Sequence, residues 1–393
     1  MDLERPVLIK IKFLGAIFLT SDKVEDAIHF IRENCQLDQT IVMFSGGKDS
    51  LVAMDIATQA GVKQAVYIDS DIEYTISRRY VREMSEKYNI EFVQPENDFF
   101  EFCKRLSPPS KRLKWCCKVI KLSFMMKYAM EHHKLYHITG LRAAESSRRA
   151  SYTDIVTDPF LFSNPRYRFY QVNPVLSWAD QEIWDYILEH DLPPNPLYSM
   201  GSERVGCWCC PLSSRSEWEL AMDLEKEGMK KLKKCIYEFS LKLAPEYRYR
   251  YRKNGWKSFA FKYQKTPVIK MKCEGKTCHL IGDDSYLMKV MNLIFIVAEK
   301  YYHTPGVIAF NRGELQRQQV RMLMEKTLNC VKCGVCLVLC PVGALYLDEK
   351  EGIRVDEGKC VGCYSCCQRV DRKLKMGCVA RNYGIKRLII KLY

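Results

Sequence analysis

The 393-residue sequence has no apolar run long enough to cross a bilayer: the longest, near Val290 to Ala298, falls far short of the roughly 20 residues that a spanning helix needs. Its first ten residues, Met1 to Lys10, include Asp2 and Glu4 and lack the apolar core of an export signal, so a cytoplasmic protein with no membrane partner is expected. Low-complexity stretches are missing, and the only repeat is a pair of cysteine motifs beginning at Cys330 and Cys360. A disordered polyelectrolyte is excluded as well, because 47% of the residues are apolar or aromatic and 27% are charged. A chain of this length suggests two or three domains of about 100 to 200 residues each.

What the sequence does have is 19 cysteines and a formal net charge of +14. In a reducing compartment, clustered thiols bind metal or do redox work more often than they form disulfides. The charge permits a nucleic-acid or polyphosphate partner, and is equally common on a solvated surface. Cys35 and Cys103 stand alone, Cys116 and Cys117 are adjacent, Cys207, Cys209 and Cys210 form a tight group, and Cys235, Cys273 and Cys278 are scattered. Nine more fall between Cys330 and Cys378, which places a domain boundary near residue 320. Four regions are expected: a strand-helix segment at 1–36, an α/β domain at 37–225, a connector or small basic subdomain at 226–320, and a cysteine-rich domain at 321–393.

Within 38–225, the apolar runs Ile41 to Phe44, Ala65 to Ile68, Ile90 to Val93 and Tyr136 to Thr139 have strand length. They alternate with helix-length stretches such as Ser50 to Gln59 and Thr75 to Tyr88. That alternation predicts a Rossmann-like, doubly wound parallel sheet with ligands at the carboxyl ends of the strands. The connector reads as a Lys-rich helix, a Tyr/Arg segment and a helix from Tyr286 to Tyr302.

Ser45-Gly46-Gly47-Lys48-Asp49-Ser50 follows the first strand and enters a helix. Two glycines let the backbone approach an anion, the helix start offers N–H groups and a positive dipole end, and Ser45, Ser50 and Lys48 add donors. It is not the GxxxxGK[ST] loop. The hexapeptide resembles the pyrophosphate-binding loop of the adenine-nucleotide alpha-hydrolase (PP-loop ATP pyrophosphatase) superfamily, which implies ATP, with Mg2+ as a candidate companion, or an adenylyl compound as ligand.

Further motifs narrow the branch. Gly140 to Arg149 carries Arg142, Arg148 and Arg149 after another strand; Asn173 to Trp178, Ile183 to Ile187, Leu192 to Tyr198 and Gly206 to Pro211 follow in order. Over residues 38–215 this series resembles the phosphoadenylyl-sulfate (PAPS) reductase family. The resemblance implies that the three arginines bind sulfate or phosphate oxygens, that Lys121 faces the substrate anion, and that Lys48, Asp49, Lys121 and Arg142 are the candidate catalytic residues. Cys116, Cys117, Cys207 and Cys210 resemble the Cys-Cys plus Cys-x-x-Cys set that holds a [4Fe–4S] cluster in iron–sulfur adenylyl-sulfate (APS) reductases; zinc or buried free thiols are the competing readings, and Cys209 could replace either partner of its pair. Two features depart from the sulfonucleotide reductases: the Glu-Cys-Gly-Leu-His string is missing, with Cys273 and Cys278 the nearest candidates, and the phosphate loop is intact, as in ATP-consuming members.

Cys330-x-x-Cys333-x-x-Cys336-x-x-x-Cys340-Pro341 has the spacing of bacterial ferredoxin loops, and Cys360, Cys363 and Cys366 repeat it with Val370 where a fourth cysteine belongs. In two-cluster ferredoxins the fourth cysteine of each motif serves the other cluster, so Cys340 joins Cys360, Cys363 and Cys366. The set Cys330, Cys333 and Cys336 then takes Cys378, with Cys367 as fallback; a [3Fe–4S] cluster or an external ligand is also open. An α+β ferredoxin-like domain with two [4Fe–4S] clusters is expected.

Lys230, Lys231, Lys233 and Lys234 share a helix, and Tyr247 to Lys253 alternates tyrosine with arginine. As a strand, that segment either stacks tyrosines on bases and sets arginines on phosphates, or packs its tyrosines inward and leaves the arginines solvated. The tail from Arg369 to Tyr393 carries eight Lys or Arg against Asp371 alone. The leading expectation is reduction of PAPS or APS to sulfite, with electrons passing from an external donor through the protein's own clusters. The rivals are an ATP-dependent sulfurtransferase acting on tRNA or a small acceptor, and a non-catalytic electron-transfer or redox-sensing protein.

Overall fold

The computed structural model describes residues 21–147, 149–157, 169–259, 264–298, 300–363, 366 and 386–393. In chain order the elements are α1 (Ser21–Asn34), β1 (Thr40–Met43), α2 (Lys48–Ala60), β2 (Ala65–Ile68), α3 (Thr75–Met84), β3 (Ile90–Val93), α4 (Phe99–Arg105), α5 (Ser123–Glu131), β4 (Tyr136–Ile138), β5 (Ile155–Thr157) and β6 (Tyr170–Val172). They continue through α6 (Asp180–Glu189), α7 (Arg215–Leu224), α8 (Lys226–Ser240), α9 (Pro245–Lys253), β7 (Gln264–Glu274), β8 (Thr277–Gly282), α10 (Asp284–Met291), β9 (Tyr301–Thr304), β10 (Val307–Asn311), α11 (Arg317–Leu328), β11 (Leu345–Asp348), β12 (Gly352–Val355) and β13 (Lys386–Leu392). The described residues divide into two compact units: one runs to Gln94 and adds His133–Val156 and Phe169–Lys226, the other comprises Pro95–His132 and the chain from Glu227.

The first unit is α/β, with a six-stranded sheet in the order β3-β2-β1-β4-β6-β5. The pairs β1–β2, β2–β3, β1–β4 and β4–β6 are all parallel, as the alternating pattern predicts. Such a sheet buries both faces, and β1 and β2 are accordingly short runs of buried apolar residues. Helix α2 anchors the core: Leu51, Val52, Ala53, Ile56 and Ala57 are fully buried, and each of the larger side chains contributes about 1.5–3 kcal/mol of burial. Helices α1 and α6 pack on α2. Between them Asp55 accepts hydrogen bonds from the hydroxyls of Tyr88 and Tyr186, the latter at 2.7 Å, and from Gln59 at 2.9 Å, so the buried carboxylate is satisfied.

The second unit is built on a five-stranded sheet, β13-β7-β8-β10-β9, antiparallel except for the parallel pair β13–β7. The outer edge of β13 is met by α11: the Asn329 amide donates to Leu388 O and accepts from Leu388 N, both at 3.0 Å, and Glu325 accepts from Ile390 N at 3.1 Å. A strand edge covered this way offers no free template for a further strand. One apolar core joins β7, β8, β10, α10 and α11 to the β11–β12 hairpin and to Cys340.

Several expectations are corrected here. The segment Pro95–His132, placed by sequence inside the 37–225 domain, belongs to the second unit, where Ser110 Oγ donates to Phe259 O, Lys111 N to Lys257 O and Lys242 Nζ to Lys104 O. The boundary at 320/321 falls within α11, and one apolar core spans it, because β13 completes the sheet begun by β7. Tyr247 to Lys253 is helical rather than a strand: Pro245 sits at the first turn of α9, where its missing N–H costs nothing. The helix expected over Tyr286 to Tyr302 ends at Met291, and Tyr301 starts a strand. Helix α1 matches the helix expected before residue 36; the strand expected ahead of it lies outside the described residues. No helix of the described residues is long and apolar enough to cross a membrane.

Candidate functional site

Strand order reverses between β1 and β4, and both carboxyl ends carry the motifs singled out from sequence. From β1 the chain enters Ser45–Gly47 and α2; from β4 it enters Gly140–Arg142. Gly46 has φ +77°, and a β-carbon there would lie 3.3 Å from Val81 Cγ2. Gly140 answers a different need: a β-carbon at this position would fall 2.4 Å from the carbonyl carbon and oxygen of Asp49, so only glycine lets β4 approach the phosphate loop. Inside the loop, Ser45 Oγ and Ser50 Oγ are 2.9 Å apart, Ser50 Oγ donates to Gly47 O at 2.9 Å, and Ser45 N donates to Ser50 Oγ at 3.2 Å. Two residues of the Leu192 to Tyr198 motif brace it. Asn195 Nδ2 donates to Gly46 O at 3.1 Å, and Lys48 N donates to the Tyr198 hydroxyl at 3.0 Å.

The charges at this point form a closed set. Lys48 Nζ lies 3.1 Å from Asp49 Oδ2 and 2.8 Å from Asp180 Oδ1. Arg142 Nε donates to Asp49 Oδ1 at 2.5 Å and its Nη2 to Asp180 Oδ1 at 2.6 Å, while Nη1 reaches Trp178 O at 3.3 Å. Lys48 and Arg142 are buried, whereas the Asp180 side chain is 61% exposed. Burial works against the Asp180 carboxylate, yet the Lys48 and Arg142 contacts together hold its carboxyl below the usual range. The Tyr198 phenol is pushed up to about 12, mainly by burial; the Lys48 N–H works against the rise and the Asp49 charge adds to it. Arg149 pairs with Glu145, and burial lowers its guanidinium from the ordinary value. Arg148 lies outside the described residues. Asp180, Asn195 and Tyr198 were not named as site residues from sequence, although two of them lie in a recognised motif.

The cysteines expected to serve one cluster divide between the units. In the first, Trp208 N donates to Ile72 O at 3.0 Å and Cys210 N to Cys207 O at 3.1 Å, forming a turn that buries Cys209 and leaves Cys207 and Cys210 half-buried. Cys209 is thereby the less accessible of the three. In the second unit, Cys116 precedes a π-helical turn, Cys117–Leu122, that also carries Lys121 and leads into α5; such turns gather at functional sites. The Cys117 thiol is pulled down to about 6, first by its hydrogen bond with Cys116 and then by the Lys121 and Lys114 ammonium groups.

The second unit also holds the two cysteine loops that begin at Cys330 and Cys360. Burial raises the Cys360 thiol, the Gly362 N–H opposes this, and the neighbouring thiols of Cys366, Cys340 and Cys363 raise it further. These are the four residues that the crossed-ligand rule assigns to one cluster, so the donor set fits a four-thiolate site. Cys340 Sγ accepts from Ala344 N at 3.2 Å and Cys330 Sγ from Lys332 N at 3.4 Å. Cys330, Cys333 and Cys336 line a small cavity with the buried Lys326, whose ammonium donates to Cys366 O. Among the described residues, no three His, Cys, Asp or Glu side chains are drawn to metal-ligating distance, and Cys367 and Cys378 lie outside those residues. Cys273 and Cys278, the nearest candidates for a catalytic thiol, are directly opposed on β7 and β8 and joined in a disulfide; strand pairing places them side by side.

Residues 39–213 match the family model of the phosphoadenosine phosphosulfate reductase domain. An uncharacterized protein of Methanocaldococcus jannaschii is 30% identical over 203 residues, which are 50% of this chain and 48% of that one, so the chain spans about half of that relative. The adenosine 5′-phosphosulfate reductase of Bacillus cereus is 27% identical over 183 residues, 44% of this chain and 74% of that enzyme. Among solved structures, the phosphoadenylyl-sulfate reductase of Candida auris in a phosphate complex aligns over 49% of this chain and 98% of that one, with 17% identity and a TM-score of 0.34.

Proposed function

We propose that this protein reduces an adenylylated sulfate, APS or PAPS, to sulfite. The observation that carries the reading is the Lys48, Asp49, Arg142 and Asp180 set at the strand-order reversal, on a loop built for phosphate. The likeness to adenosine 5′-phosphosulfate reductases over the same residues supports it.

In the reaction two electrons reduce sulfur from the +6 to the +4 state, the bond from sulfur to the bridging phosphate oxygen breaks, and the nucleotide leaves with that oxygen. The residues of this chain bind and orient. Loop amides from Ser45 to Ser50 and the start of α2 take the nucleotide phosphate, and Lys48 and Arg142 neutralise the charge that develops as the phosphate departs. Asp49 fixes both cations from one side. Asp180, the exposed partner, yields them to the incoming anion.

Cys340, Cys360, Cys363 and Cys366 would hold one [4Fe–4S] cluster, and Cys330, Cys333 and Cys336, with Cys378 as the fourth ligand expected from sequence, the other. When bound, the clusters supply one-electron carriers for the two-electron reduction. The test is to incubate the anaerobically reconstituted full chain with APS, PAPS and ATP separately. Sulfite and nucleotide in equal amounts from APS or PAPS is the expected result; pyrophosphate from ATP with no sulfite from either sulfonucleotide overturns the reading.

A further inference from the structure

We infer that the outer surface of α8 and α9 binds single-stranded nucleic acid, a property separate from the proposed reduction. Between residues 227 and 257 the chain carries ten Lys or Arg and three Glu, and no Asp or His. Helical geometry divides the tyrosines of α9. Tyr251 turns inward, its ring 5.6 Å from Phe239 and 5.0 Å from Phe259, and anchors the helix. Tyr247 and Tyr249 turn outward, 61% and 73% exposed, and Tyr237 of α8 is 51% exposed.

Cations alternate with these open rings. The Arg252 guanidinium lies 4.2 Å from the centre of the Tyr237 ring, and its Nε donates to Ser240 Oγ at 2.6 Å, which fixes it between the two helices. Tyr249 stands one turn from Arg252 on the same helix, and Lys253 Nζ lies 6.0 Å from its ring. The result is a patch running Tyr237, Arg252, Tyr249, Lys253, flanked by Lys233 and Lys234 one turn before Tyr237.

Large aromatic rings exposed in a contiguous charged patch call for a partner. A solvated helix face needs the lysines but gains nothing from the exposed rings of Tyr237 and Tyr249. An acidic peptide would use the cations and leave the rings idle. Unpaired bases use both, stacking on tyrosine while their phosphates meet arginine and lysine, and every base offers a face to stack. A duplex hides its base faces and is the wrong shape for such a patch.

The experiment measures fluorescence anisotropy of the full chain with a labelled mixed-sequence RNA single strand, the DNA strand of the same sequence, and the duplex that each forms with its complement. Binding of single strands in preference to duplex is expected, with log K falling by about 0.7 per phosphate contact for each tenfold rise in salt. The tighter of the RNA and DNA arms identifies the source. Tyr249→Ala and Tyr237→Ala should each weaken binding about tenfold without changing the salt slope, and Tyr249→Phe should restore it. Lys234→Gln with Lys253→Gln should flatten the slope. Duplex bound as well as single strands, tyrosine variants without effect, or polyglutamate competing as well as the oligonucleotide would each overturn the inference. Sulfite formation from APS or PAPS should be the same in every variant, so failure of the surface and failure of the proposed reaction are told apart.

Discussion

The phosphate loop and the cysteine loops are the two candidate ligand sites, and they are made in opposite ways. The loop at Ser45–Ser50 owes its form to backbone and charge: a strand end, a helix start, Gly140 pressed against Asp49, and two carboxylates already holding Lys48 and Arg142. Its internal ions are satisfied before any substrate arrives, and substrate has only to replace one of them. The cysteine loops gather thiols that repel once ionised; the neighbours of Cys360 push its proton affinity up, not down. A site built from like charges is completed by the cation it binds. One candidate site is organised by the fold, and we expect the other to organise its own part of the fold when loaded.

The sharpest way to break this contrast is to remove iron. A reconstituted chain should hold about eight iron atoms in its C-terminal loops, or about twelve if Cys116, Cys117, Cys207 and Cys210 are also filled, and Cys340→Ser should lose about four of them by iron assay. Stripped protein should lose amide protection across 330–366 while binding AMP within about threefold of the loaded form; loss of AMP binding along with iron would erase the contrast. Next in size is Gly140→Ala. With the new carbon 2.4 Å from backbone atoms of Asp49, the loop or the strand must move, and we expect a cost of about 3 kcal/mol in denaturant unfolding. Arg142→Ala should weaken APS or AMP binding about 10- to 100-fold by calorimetry, the worth of one or two charge-assisted hydrogen bonds. The smallest effect is expected from Asp180→Asn, which frees two cations from an internal competitor and so tightens binding of inorganic phosphate a few-fold. This variant also carries a pH signature. The Asp180 carboxyl is lowered in the fold, so its contribution to stability is present above the unfolded value near 3.9 and is lost as pH falls through the folded one. Wild type should therefore lose more thermal stability than Asp180→Asn as pH drops below about 4.

The strands β2 and β3 were legible residue for residue, and β1, α2 and the loop between them within a few positions, because apolar runs, a glycine pair and a helix start are all local signals. Arg142 was legible too, as an arginine following a strand. Its partner Asp180 was not: the pair is separated by 38 residues, and an aspartate at the first turn of α6 reads as ordinary helix-start chemistry. Asn195 and Tyr198 act on the loop from about 150 residues away, through one amide and one hydroxyl, and no periodicity marks them. The Tyr-Arg alternation misled because a period of two overrode Pro245, which marks a helix start. The π-helical turn after Cys116 and the pairing of β13 with β7 left no local trace, since both are fixed by packing and partners distant in sequence.

That last pairing also sets an order of events during synthesis. Strand β7 emerges from the ribosome early, whereas β13, which covers one of its edges in parallel register from Lys386 to Leu392, comes after every cysteine from Cys330 to Cys366. Until then β7 offers an open edge, a hazard for any nascent chain. The cysteine loops are thus outside the ribosome before the sheet can close, and on the proposed function metal insertion and sheet closure compete in time. A cell that supplies iron slowly would meet a chain whose β7 edge is closed before its thiols are filled.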